Sequence, residues 1–258
     1  DSSTSRGLGD VYKRQIYDNE AFYSQYTALR NNELSYNEIL EMPIMQELLP
    51  DINNKSVLDA GCGMGKFIQY LLSKNPKTIT GIDISNKMIE YAKQHVNDDR
   101  VTFEVGDILT YQTNEPFNCI VSSLAFHYVE DYVELIKKLN ELLVEDGVLL
   151  FSTEHPIQTA TKSKDPWIHD QSPYQHYKMD HYFEESARET EWLGESVIRY
   201  HRTIGTMINT LIENGFVIEK VVDNGNTELS MEMWDEETRL KVNHKPPFIT
   251  IMARKDRI

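Results

Sequence analysis

The sequence predicts an α/β fold, doubly wound around a mostly parallel seven-stranded sheet. Three observations carry that expectation. Between residues 56 and 154, short and almost wholly apolar runs alternate with amphipathic helical patterns, as parallel strands covered on both faces require. The first run, SVLDAG, opens into glycines at every second position: Gly61, Gly63 and Gly65. Two further apolar runs, FVIEKVVD and PFITIMARK, stand near the end of the chain and bring the strand count to seven.

Residues 1–15, DSSTSRGLGDVYKRQ, are rich in Ser and Gly and have no apolar period, so they are read as a leader foreign to the fold. The domain is expected over 16–258. AFYSQYTALRNN and SYNEILEMPIMQELLP read as two helices that end at Pro50 and form an N-terminal cap over residues 16–50. SVLDAG is the first strand, and KFIQYLLSKN sets Phe67, Tyr70 and Leu71 at helical spacing. TITGIDIS is the second strand, with Ser85 as N-cap of the helix NKMIEYAKQHV. VTFEVGD and FNCIVSSL are strands three and four. The helix DYVELIKKLNELLVED carries a stripe of Leu135, Leu139, Leu142 and Leu143, and GVLLFSTEH is strand five. Residues 156–200 are polar, rich in His, Tyr and Trp, and without period. They read as an insertion over the carboxyl edge of the sheet, on the substrate side. RTIGTMINTLIENG is a helix closed by Gly215. FVIEKVVD, a polar stretch containing EMWDEETRLK, and the strand PFITIMARK finish the chain.

Composition narrows the function. The 258 residues are 40% hydrophobic, enough for one well-cored domain. No apolar run approaches the roughly 20 residues that span a bilayer, so no membrane partner is expected. Net charge is −15, from 41 acids against 26 bases, which repels phosphate backbones and argues against a nucleic-acid partner. Cys62 and Cys119 lack metal-site spacing and are expected reduced, as in the cytoplasm. His169, His176 and His181 fit neither helical nor finger ligation, so no metal is expected.

The glycine turn between strand one and its helix lets backbone approach a ligand closely, at a helix end with free N–H groups. Asp59 stands just before it, where a carboxylate would repel a pyrophosphate but hold an ammonium. A dinucleotide fingerprint would want its third glycine at Lys66. Asp83 ends strand two, placed for two ribose hydroxyls, and Asp107 follows strand three, placed for an adenine amino group. Three acids in these places describe a ligand with an amine, a ribose and an adenine.

Here the chain resembles the class I S-adenosylmethionine-dependent methyltransferases, over residues 16–258. VLDAGCGMG, GIDIS, VGDI and IVSSLAFHYVED look like that family's first four motifs, and SSLAFHYV, EHPI and YHRT are similar to small-molecule members. The resemblance implies S-adenosyl-L-methionine as cofactor and methylation of a small molecule. It implies that Asp59, Gly61 and Gly63, with Gly65 in the same loop, serve the methionine end. Asp83 would bind the ribose, Ile84 and Met88 would flank the adenine, and Asp107 and Ile108 would read its edge. Ser123 and Leu124 would lie beneath the sulfonium, His127 would pack over the cofactor, and Tyr26 and Arg30 would reach it from the cap.

Methyl transfer needs alignment and exclusion of water, and a base only where the acceptor must lose a proton. His155, at the end of strand five, is the first candidate base, with His201 and Tyr128 behind it. Tyr17, Tyr23, Tyr26, Trp167, Tyr174, Tyr177, Tyr182, Phe183 and Trp192 are candidates for an aromatic lid. Three rival readings stay open. A nucleic-acid base methyltransferase would carry Asn/Asp-Pro-Pro-aromatic after strand four, where SSLAFH stands. A cofactor-binding module without catalysis would keep the same loop and show no transfer. A dehydrogenase would bind nicotinamide.

Overall fold

A computed structural model describes residues 19–169 and 175–257. The leader, Tyr17, Tyr174 and the side chain of His169 lie outside the described residues.

The sheet has strands β1 (Ser56–Ala60), β2 (Thr78–Asp83), β3 (Val101–Val105), β4 (Phe117–Ser122), β5 (Leu143–Glu154), β10 (Phe216–Asn224) and β11 (Phe248–Lys255). Their order is β10-β11-β5-β4-β1-β2-β3. β3, β2, β1, β4 and β5 run parallel; at one edge β11 runs antiparallel to β5, and β10, antiparallel to β11, points the same way as the first five. The chain order reverses between β1 and β4. Their carboxyl ends therefore splay loops to opposite sides and leave a crevice, the usual ligand position in open α/β sheets.

Helices α3 (Lys66–Leu72), α4 (Asn86–His95), α5 (Tyr132–Leu142) and α7 (Ile204–Glu213) cover the two faces. One apolar layer centres on Leu58, Ile120, Leu135, Leu139, Phe151 and Ile251. The other centres on Val57, Ile68, Leu71, Ile79, Ile89 and Leu150. Central strands feed both layers because successive side chains point to opposite faces. Ser85 caps α4 as expected, accepting the Met88 N–H at 3.2 Å.

The cap is α1 (Glu20–Arg30), then a π-turn, Asn37–Glu41, that runs into α2 (Met42–Leu48). α5 stops at Leu142 rather than at Asp146. Leu143 instead pairs with Phe117, and a register shift before Cys119 with a left-handed Asp146 starts β5 early.

Residues 156–200 are more ordered than their sequence suggests. They hold α6 (Pro156–Ala160) and two antiparallel hairpins. One pairs β6 (Trp167–His169) with β7 (Gln175–Tyr177), the other β8 (Ala187–Trp192) with β9 (Glu195–Tyr200). The polar stretch before β11 forms α8 (Glu228–Met233) and α9 (Glu236–His244). No helix among the described residues is long and apolar enough to cross a membrane.

Candidate active site

Three adjoining spaces open at the carboxyl ends of β1, β2 and β4. The first is lined by Gly61, Gly63, Asp83, Ile84, Met88, Asp107, Ile108, Ser123, Leu124, Tyr26 and Tyr128, all predicted from sequence, along with Ala60, Gly106 and Phe126. The second continues past the glycine turn and is lined by Asp59, Gly61, Gly63, Arg30, Tyr26 and Ser123. The third, about 320 Å³, lies under the cap and the β8–β9 hairpin. Tyr26, Ser123, Leu124 and Tyr128 line both the first space and the third.

The turn that shapes the first two spaces is built from backbone. Gly61 has φ +78°, and a Cβ there would stand 2.5 Å from the Ala125 Cβ, so only glycine fits. Asp83 closes the turn from β2: its Oδ2 accepts the Gly63 N–H and its Oδ1 the Ser85 N–H, each at 2.9 Å. Asp107 accepts the Leu109 N–H at 2.9 Å and faces the same cleft.

Asp59 is the electrostatic centre. It is 1% exposed, and neither carboxylate oxygen has a hydrogen-bond partner. Burial, then the neighbouring Asp83 and Glu41, push its pKa up to about 8, with Arg30 pulling the other way. An orphaned buried carboxyl is costly unless a ligand supplies the missing donor. A primary ammonium fits that vacancy in chemistry and sign.

Leu124 forms the floor between the spaces. Its φ of +52° is left-handed, a strained value for a leucine. Its N–H is shared by the Ser152 carbonyl at 3.2 Å and the Ser152 Oγ at 3.1 Å.

Four residue assignments from sequence are corrected. Gly65 faces away from the ligand spaces: its φ of +76° starts α3, and a Cβ would press on Ala92, Phe103 and Val96. Its role is packing. His127 lines the third space, not the cofactor cleft, and burial drives its pKa down to about 4. His155 is 1% exposed and lines none of the three spaces. Its Nδ1 accepts the Ile157 N–H at 3.1 Å, capping α6, and its Nε2 donates to Asp223 Oδ1 at 2.9 Å. His201 is likewise 1% exposed. Its Nε2 donates to the Tyr182 carbonyl at 2.8 Å, which leaves Nδ1 to accept from the Thr159 hydroxyl at 2.7 Å. Neither histidine has a nitrogen left for an acceptor, so neither is the base.

The third space contains groups that the sequence did not disclose. Arg199 Nη1 donates to Glu154 Oε1 at 2.6 Å, and Gln158 Nε2 donates to the same oxygen at 3.2 Å. Lys245 holds Gln158 from behind at 2.7 Å. These residues come from β5, α6, β9 and the turn before β11, so only the folded chain assembles them. Trp192 roofs the space and meets Phe22 and Tyr26 of α1 edge-to-face, at 5.5 and 5.8 Å. Of the predicted lid, Tyr26 and Trp192 take that place. Trp167 and Tyr177 instead pack on each other and on Lys245. Phe183 is 89% exposed.

Comparison with known proteins gives the family and the fold. Residues 51–236 match a family model described as a methyltransferase domain. An uncharacterized protein of Haemophilus influenzae is 35% identical over 251 residues, 94% of this chain and 98% of its own length. A malonyl acyl-carrier-protein O-methyltransferase of Acetivibrio thermocellus is 38% identical over 107 residues, 40% of this chain and 38% of that enzyme. Among solved structures, an S-adenosylmethionine dependent methyltransferase from Mesorhizobium loti superimposes with a TM-score of 0.78 at 31% identity, covering 86% of this chain and 99% of that one.

Proposed function

Because the chain belongs to the S-adenosylmethionine-dependent methyltransferases, we propose that it methylates a small molecule seated in the cavity beneath Trp192. The carrying observation is the shared wall: Tyr26, Ser123, Leu124 and Tyr128 line both the cofactor cleft and that cavity. An acceptor there would lie next to the donor, across that shared wall.

S-adenosylmethionine supplies an activated methyl group on a sulfonium when bound. The chain supplies the rest. Asp59 takes the ammonium, Asp83 the ribose hydroxyls and Asp107 the adenine edge. Ile84, Met88 and Ile108 provide the apolar slot around the ring. Tyr128 stands where the two spaces meet and orients the acceptor, while Trp192 excludes water.

The cavity also restricts the acceptor. His127 is held neutral by burial, and its Nδ1 faces the Thr153 hydroxyl at 3.3 Å and the Glu154 N–H at 3.5 Å. With its pKa lowered to about 4 it is a weak base near neutral pH. Glu154 is tied to Arg199 and Gln158 through Oε1, and its buried Oε2 has no hydrogen-bond partner among the described residues. Arg199, a fixed cation on the cavity wall, favours an attacking atom that is anionic or carries a free lone pair: a carboxylate, a thiolate or a free amine. The O-methylation named for the Acetivibrio thermocellus relative falls in the carboxylate class.

The test is incubation with methyl-labelled S-adenosylmethionine and a panel of carboxylic acids, thiols, amines and alcohols, followed by mass spectrometry. Label should enter one of the first three classes. Label found only on alcohols would refute the restriction, and donor binding without transfer to any small molecule in cell extract would refute the reading.

A further inference from the structure

A buried polar chain links the N-terminal cap to the floor of the active site. Glu41, the last residue of the π-turn, is 0% exposed. An acid at a helical position is normally solvated, so complete burial calls for partners. Ser152 on β5, also 0% exposed, donates its hydroxyl to Glu41 Oε1 at 2.5 Å. Asn37 donates its amide to Glu41 Oε2, and Arg30 of α1 donates to the Asn37 amide oxygen. The Ser152 oxygen accepts in turn from the strained Leu124 N–H at 3.1 Å.

The donor directions make one continuous set. Arg30 can only donate, so the Asn37 oxygen must face it and the Asn37 amide must face Glu41. With Glu41 ionised, both of its oxygens accept. With its hydrogen given to Glu41, the Ser152 hydroxyl is left with lone pairs for Leu124. Rotated the other way, it would bring its hydrogen against the Leu124 N–H. Arg30 and Leu124 both line the cavity under Trp192, so the two ends of the chain border the same space.

We propose that Glu41 is a positioning residue: through Ser152 it sets the left-handed backbone of Leu124, and so makes the shape of the active-site floor depend on a seated cap. A cap out of place would withdraw Glu41, with Asn37 and Arg30 behind it, from Ser152 and loosen the Leu124 turn that both ligand spaces share. The inference rests on the methyltransferase reading only where donor affinity is the readout.

The test uses Glu41→Gln, Ser152→Ala and the double variant in the full chain. Glutamine turns one oxygen into a donor, which then confronts either the Asn37 amide or the Ser152 hydroxyl. Titration calorimetry with S-adenosylmethionine should show affinity about tenfold weaker in Glu41→Gln, the effect of one mispaired buried hydrogen bond. Ser152→Ala keeps the carbonyl partner of Leu124 and should lose roughly threefold. The double variant should be no weaker than Glu41→Gln, because both changes cut one path. Hydrogen exchange at the Leu124 amide should quicken in every variant, while the β10–β11 amides stay as protected as before.

Unchanged Leu124 exchange, or affinity losses that multiply in the double variant, would overturn the proposal. Should Glu41→Gln not fold, Ser152→Ala decides by exchange and affinity alone. Wild-type protein that fails to bind the donor would defeat the methyltransferase reading instead, and the exchange data would still judge the polar chain.

Discussion

Asp59 shows how a single residue can be unfavourable to the fold and necessary to the site. Its carboxyl titrates near pH 4 in an unfolded chain but is pushed up to about 8 in the folded one. Between those values the native state keeps a proton that the unfolded state has released. The resulting stability is complete below the unfolded pKa and is lost as pH rises through the window. Glu41, raised to about 7 chiefly by burial, acts with the same sign. The thermal midpoint of the ligand-free protein should therefore fall more steeply between about pH 5 and about pH 8 than that of Asp59→Asn, which carries no proton there. Parallel slopes would show that Asp59 is already ionised. Binding an ammonium should expel the proton, so calorimetry near neutral pH, in buffers of different ionisation enthalpy, should register proton release by wild type and less by Asp59→Asn. Equal release would separate Asp59 from the ammonium. The three acids were legible because each stands at or just beyond the carboxyl end of a strand, where the fold dictates its place. His155 and His201 misled because sequence locates a strand end but not the direction of a ring. Glu41 was invisible, since an acid in an amphipathic helix reads as surface.

At the scale of elements, two turns with positive φ decide what could be read. In the turn after β1, the glycine spacing announced a close approach but not which glycine bears it. A Cβ at Gly61 meets Ala125 at 2.5 Å, whereas at Gly63 the nearest atom is the Tyr26 hydroxyl at 3.9 Å. Gly63→Ala should thus cost about 1 kcal/mol for its left-handed backbone. Gly61→Ala should cost that amount plus about 1–3 kcal/mol for overpacking, measurable by denaturant unfolding. Equal losses would mean that Ala125 yields freely. The β8–β9 hairpin was missed because its two-residue turn is Leu193–Gly194, with φ of +51° and +77°. That conformation is usually announced by Asn-Gly or Asp-Gly, and a leucine there carries no such signal. The tip of this hairpin sets Trp192 over α1. Trp192→Ala should weaken acceptor affinity and quicken hydrogen exchange in α1, while leaving donor affinity within about twofold. A donor-affinity loss equal to the acceptor loss would place Trp192 in the cofactor cleft instead.

The whole molecule joins three parts that sequence presents separately: a cap, a sheet and an insertion. Phe22 of the cap, Tyr128 after β4, and Trp192 and Val197 of the insertion form one apolar cluster over the sheet's carboxyl edge. The polar chain from Arg30 to Leu124 ties the cap to the sheet below it. Neither the cap nor the hairpin has a large core of its own, so each depends on the other two parts. A ligand that touches the cap through Tyr26 and the sheet through Asp83 should therefore stabilise all three together. At about 100 times its Kd, S-adenosylmethionine should add about 2.7 kcal/mol to the unfolding free energy. For a chain of this size that corresponds to a rise in the thermal midpoint of roughly 5–10 °C. The transition should remain single and sharpen or shift as a unit, followed by calorimetry and by tryptophan fluorescence from Trp192 in the hairpin and Trp234 after α8. A low-temperature phase that ignores the donor, seen only by fluorescence, would mean that cap and insertion unfold apart from the sheet. In that event the site would be assembled by ligand rather than waiting for it.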